Sequence, residues 1–133
     1  MTSTKTILAR ILFFLYLAAI AFLCFMKVDK LPQIQRLILG IPADKVAHFL
    51  MFLPFPILCF LAFDRYTDNL RSTLIFTSIT FVVGLLLALG TEWGQAHLTS
   101  YRDGNGWDFF ADALALTLSS VFVLFWDLRK QKK

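Results

Sequence analysis

Four apolar stretches, each about as long as a bilayer is thick, constrain this chain more than anything else in it. They run from Ile7 to Met26, from Val46 to Phe63, from Leu74 to about Trp93, and from about Phe109 to Trp126. A helix needs roughly 20 mostly apolar residues to cross the hydrocarbon core, and fewer where cationic flanks snorkel toward the headgroups. Lipid offers no hydrogen bonds, so a spanning segment must satisfy its own backbone, and an isolated apolar run does so as a helix. Composition agrees: 58% of the 133 residues are hydrophobic, fifteen of them phenylalanine, and mean hydropathy is +0.68. A water-facing exterior could not be assembled from such material. The fold class that follows is an all-α membrane protein, a bundle of four transmembrane helices in one domain over residues 1–133. Pro54 and Pro56 lie inside the second span and should kink it, since each removes a backbone donor.

Near the N-terminus, Lys5 and Arg10 precede an apolar run containing Ala19-Ile20-Ala21, a small-residue pattern like a leader cleavage site. The run continues through Phe22-Leu23-Cys24-Phe25-Met26, which suits a retained membrane anchor better. Cys24 and Cys59 fall at opposite ends of their spans, too far apart for a disulfide.

The net charge of +4 comes from short loops and the tail, with no basic patch interleaved with aromatics, so a nucleic-acid partner is not expected. In a membrane protein such charge encodes orientation. Four spans put both termini and the loop 64–72 on one side, with eight Lys and Arg residues, against five on the other side at Lys27, Lys30, Arg36, Lys45 and Arg102. The bias favours cytoplasmic termini, with loops 27–45 and 94–107 facing outward.

With that orientation the polar residues gather at one membrane face: Asp44, Lys45, His48, Glu92, Gln95, Arg102, Asp108 and Asp112. Asp44 and His48, four apart, share a helix face, as do Glu92 and Gln95, three apart. His97 falls in the loop beyond the third span. Asp108 has the position of a helix cap. Asp112 lies a turn further in, and two carboxylates stacked at i and i+4 repel unless a cation or a shared proton intervenes. Ionisable groups at this depth must be neutralised, paired or wet, and tend to mark function. The glycines of "DGNGWD" begin like a calcium loop, but Trp107 and Leu114 stand where ligands belong. No phosphate loop, CxxC pair or HExxH helix occurs.

The segments "DKVAHFLMF" (44–52), "TEWGQ" (91–95), Arg102 and "WDFFADALA" (107–115) together resemble the VanZ-like family, small bacterial membrane proteins named for a member associated with teicoplanin resistance. The resemblance covers about residues 44–120 and implies a polar set at Asp44, Lys45, His48, Glu92, Gln95, Arg102 and Asp108. Two positions depart from the pattern: Asp112 stands where the family usually has asparagine, and Ala115 where a glycine is usual.

Three function classes fit these residues. The first is a cell-envelope or glycopeptide resistance factor whose outward pocket, framed by Trp93, Tyr101 and Trp107, holds a lipid headgroup or a lipid-linked wall precursor; Lys45 and Arg102 would take the phosphate. The second is an intramembrane enzyme acting on lipid phosphates. No cofactor is otherwise called for, but Glu92, Asp108 and Asp112, with His48, are the residue types that take a divalent cation. The third is a structural or partner protein in which the same polar groups tie helices together.

Overall fold

A computed structural model describes residues 3–25, 37–38, 40–63, 68–98 and 106–133, with the backbone alone for 37–38 and 41–44. The elements in chain order are α1 (Thr4–Phe25), a pair of two-residue strands β1 (Leu37–Ile38) and β2 (Ile41–Pro42), α2 (Ala43–Phe52), α3 (Pro54–Phe63), α4 (Leu70–Leu98) and α5 (Gly106–Gln131). The segments Thr4–Phe25, Lys45–Phe63, Leu70–Leu98 and Gly106–Gln131 are each long and apolar enough to cross a membrane. The protein is a multi-pass membrane protein built as a bundle of four spanning helices.

The second span is two helices in series. Leu53 interrupts it, although its N–H still bonds the Phe49 carbonyl at 3.0 Å. Pro54 opens α3, where a missing N–H is tolerated because first-turn donors have no partner in the helix. At the break, the Tyr16 hydroxyl of α1 donates to the carbonyl of Met51. The interruption lets the two halves serve different neighbours: α2 packs chiefly on α5, and α3 on both α1 and α5.

Two spans exceed the length expected from hydropathy, and local caps explain one extension. Asn69 Oδ1 accepts the Ser72 N–H at 2.9 Å and Ser72 Oγ accepts the Asn69 N–H at 3.1 Å. This reciprocal pair satisfies orphan donors and starts α4 at Leu70, four residues before the apolar run. At its other end α4 continues to Leu98, so His97 lies in the last helical turn rather than in a loop. Its ring stacks on Trp93 at 4.9 Å, and its Nδ1–H donates to the Trp93 carbonyl at 2.9 Å. At 29 residues, α4 is about 43 Å long, more than the roughly 30 Å of hydrocarbon, so polar residues at its ends cost the helix nothing. The strand pair was not foreseen; it registers Leu37 with Pro42 and Ile38 with Ile41, and Gly40 has φ of 80°, a left-handed conformation open to glycine at little cost.

The core lies where α1, α3, α4 and α5 meet, around Phe13, Cys24, Phe55, Ala88 and Leu116. Gly84 permits a close approach: a Cβ there would come 2.7 Å from Leu116 Cδ2 and 3.2 Å from Phe55 Cδ1. Small residues that bring backbones together are the usual means of packing helices in lipid. Large apolar side chains such as Phe14, Phe22, Leu86 and Phe125 stay exposed on faces that lipid would cover. Both cysteines are buried, and they form no disulfide.

Candidate polar site at one end of the bundle

Three spans contribute to one buried cluster. Lys45 and His48 come from the start of α2, Glu92 from the last third of α4, and Asp108 and Asp112 from the first two turns of α5. The i, i+3 spacing of Lys45 and His48 turns both toward α5, and the i, i+4 spacing of Asp108 and Asp112 turns both back toward α2. Asp108 sits within the first turn of α5 rather than at its cap, where the helix dipole favours a carboxylate.

His48 is at the centre, with only 4% of its surface exposed, and Asp112 is fully buried at 0%. Nδ1 of His48 lies 3.1 Å from Oδ1 and 3.4 Å from Oδ2 of Asp112. The other ring nitrogen, Nε2, is 3.5 Å from Oδ2 of Asp108. Oε1 of Glu92 is 3.9 Å from His48 Nδ1, and the ammonium of Lys45 donates to Oδ1 of Asp108. The imidazole thus stands between the two aspartates of α5, whose i, i+4 stacking required something positive or protonated between them. Charge-assisted hydrogen bonds of this kind are roughly twice as strong as neutral ones, and the low dielectric of the surroundings strengthens them further.

Other residues singled out from the sequence fall elsewhere. Gln95 is buried, but its Nε2 donates to the Cys24 carbonyl at 3.0 Å, so it fastens the end of α4 to the end of α1 instead of joining the His48 cluster. Asp44 belongs to α2 by its backbone, while its side chain lies outside the description; Arg102 and Tyr101 lie outside the described residues altogether. Trp93 and Trp107 are exposed, as a pair at a membrane interface should be.

Beside the cluster runs a groove of about 590 Å³ between α2 and α5, lined by Lys45, Val46, Phe49, Trp107, Phe110, Ala111 and Leu114. Among the described residues Lys45 is the one charged member of this lining, and the rest are apolar or aromatic. Since Lys45 also holds Asp108, the apolar groove and the charged cluster share one side chain.

A second buried polar group escaped the sequence reading. At the opposite end of the bundle, Thr73 Oγ1 donates to Asp127 Oδ2 at 2.6 Å. Gln131 Nε2 donates to Thr73 Oγ1 at 2.7 Å and to Asp127 Oδ2 at 3.1 Å. The i, i+4 pair Asp127 and Gln131 was the available signal, but it sits where charged anchors are ordinary. Thr73 gives no sign of its partner, 54 residues away.

Comparison with protein-family models, curated proteins and solved structures found no match to this chain.

Proposed function

We propose that this is a VanZ-like cell-envelope protein of a bacterial inner membrane that binds the phosphate-bearing head of a membrane lipid or lipid-linked wall precursor. The observation carrying the reading is the groove between α2 and α5, apolar along its walls and bordered by Lys45, whose ammonium lies on Asp108 beside it. A lipid has that same division: a tail that fills an apolar groove, and a phosphate that seeks an ammonium. An ammonium has three donors, so Lys45 can serve more than one acceptor. Trp107 and Phe110, in edge contact at 6.0 Å between ring centres, form the rim where headgroup and tail would part. The distribution of lysine and arginine, eight against five, supports this end facing outward, where wall precursors are consumed and glycopeptides act. Resistance of the teicoplanin type would follow if the protein changed how such a lipid is presented.

The experiment compares wild type, Ala111→Trp, which fills the groove, and Lys45→Gln, which removes its cation. Each is expressed at matched level in a glycopeptide-responsive host and extracted gently for native mass spectrometry. The expected result is a retained phospholipid or polyprenyl phosphate in wild type, lost in both variants together with any change in teicoplanin sensitivity. An identical lipid complement and identical sensitivity in all three would overturn the proposal.

A further inference from the structure

Both ring nitrogens of His48 face carboxylate oxygens, Nδ1 toward Asp112 at 3.1 Å and Nε2 toward Asp108 at 3.5 Å. A neutral imidazole has a single N–H. When Nδ1 gives it to the nearer carboxylate, Asp112, Nε2 is left presenting a lone pair to an oxygen that also presents a lone pair. Something positive belongs between them. A second ring proton is one answer, but the spacing fits another. Two ligands bound at zinc-type distances in a tetrahedron lie about 3.4 Å apart, close to the 3.5 Å between Nε2 and Asp108 Oδ2. Glu92 supplies a third donor: its Oε1 lies 3.9 Å from Nδ1 of the same ring, and one ligand atom each from His48, Glu92 and Asp108 lie within 4.8 Å of one another.

The surroundings agree with a metal centre. A metal-binding histidine almost always donates its other N–H to a carboxylate or carbonyl, which fixes the ring and raises its basicity; Asp112 occupies that place. Lys45 engages Oδ1 of Asp108, and Oδ2 is the oxygen turned to His48. The three donors come from three different spans, so an ion here would bind α2, α4 and α5 together. The sequence offers Glu92, Asp108 and Asp112, with His48, as candidate ligands; the geometry groups His48, Glu92 and Asp108 and makes Asp112 the residue behind His48.

We propose that His48, Glu92 and Asp108 form a divalent-cation site, with Asp112 orienting His48. One imidazole nitrogen and two carboxylate oxygens suit zinc or manganese rather than a soft, thiolate-seeking ion. The site stands on side-chain geometry and does not depend on the lipid reading, since it requires neither the groove nor its occupant.

The test titrates chelator-stripped full-length protein in lipid nanodiscs with Co²⁺, whose visible absorption reports low-symmetry coordination, followed by displacement with Zn²⁺. Wild type should bind Co²⁺ stoichiometrically and release it to Zn²⁺. His48→Gln and Glu92→Gln should lose binding, and Asp112→Asn should weaken it roughly 10–100-fold. Asp127→Asn, at the far end of α5, should bind as wild type does. Circular dichroism of every variant separates loss of the site from loss of the fold. Asp112→Asn keeps the test decisive if the other two unfold, because an asparagine oxygen still accepts the His48 N–H. Absence of stoichiometric Co²⁺ from wild type would overturn the proposal, all the more clearly if nitrogen NMR finds both His48 ring positions protonated. So would binding that survives His48→Gln, or Asp112→Asn binding as tightly as wild type.

Discussion

Asp112 and Asp127 are both buried aspartates of α5, four turns apart, and they are stabilised in opposite ways. Asp127 receives a threonine hydroxyl and a glutamine amide, neutral groups whose donors are fully used in a closed triangle with Thr73. One member is a helical neighbour and the other belongs to the adjacent span. Asp112 shares one imidazole with Asp108 and Glu92, while the Lys45 ammonium pairs with Asp108. The first arrangement is what helix glue requires and no more. The second concentrates like charges from two helices around one titratable ring, and adhesion alone gives no reason for that. Polar contacts between membrane helices contribute on average only about 0.6 kcal/mol each, and neutral side chains supply them at lower risk. The contrast separates a fastening from a site.

The strongest way to break this comparison is to remove the group at the centre of the charged cluster. His48→Leu would leave Asp112, Asp108 and Glu92 facing an apolar side chain. Breaking a buried ion pair from one side costs about 3–5 kcal/mol, so the variant should unfold far more readily in mixed micelles with SDS than wild type. Restoring the balance by adding Asp112→Leu should recover part of the loss. If His48→Leu cost no more than about 1 kcal/mol, an ordinary hydrogen bond, the cluster would be no different in kind from the Asp127 triangle.

A smaller effect is expected at that triangle. Thr73→Val removes one hydroxyl from the bonds to Asp127 and Gln131 while preserving shape. The loss should fall between about 0.6 and 1.7 kcal/mol, the average and the maximum for interhelical polar contacts in membranes, with no change in Co²⁺ binding at the other end. A loss as large as that of His48→Leu would mean that Asp127 is also held as an unneutralised charge.

The two regions were unequally visible in the sequence. Spans were legible because hydropathy is summed over many residues, and the polar end because Glu92, Asp108 and Asp112 break apolar runs where charge is expensive. Even the break in the second span could be placed from Pro54 and Pro56, since proline acts locally. What spacing could not give was pairing. The i, i+3 relation of Glu92 and Gln95 says that they share a face, not that Glu92 approaches His48 while Gln95 reaches back to the Cys24 carbonyl of α1. That distinction depends on how helices are rotated against one another, and Gly84 under Leu116 is the sort of contact that sets rotation. The end of α4 was drawn at Trp93 because hydropathy stops there, whereas the helix continues on its own backbone bonds to Leu98. The Asp127 triangle was hidden for a related reason: threonine and glutamine near a helix end carry no cost that would mark them out.

Asp112→Asn should have the smallest effect on stability and the sharpest bearing on the comparison. An amide oxygen continues to accept the Nδ1–H of His48, so the hydrogen bond survives while one of three clustered carboxylates is neutralised. Removing a like charge relieves repulsion and losing the charge assistance weakens one bond, two terms of about 1 kcal/mol that oppose each other. Unfolding in mixed micelles with SDS should therefore shift by no more than about 1 kcal/mol in either direction. Metal affinity should respond differently, because a neutral amide no longer raises the basicity of the imidazole. A variant that folds like wild type but binds Co²⁺ less tightly would place the value of the Asp112 charge in ligand binding. If stability and affinity fell together, Asp112 would be acting as Asp127 does, as a fastening that happens to be charged.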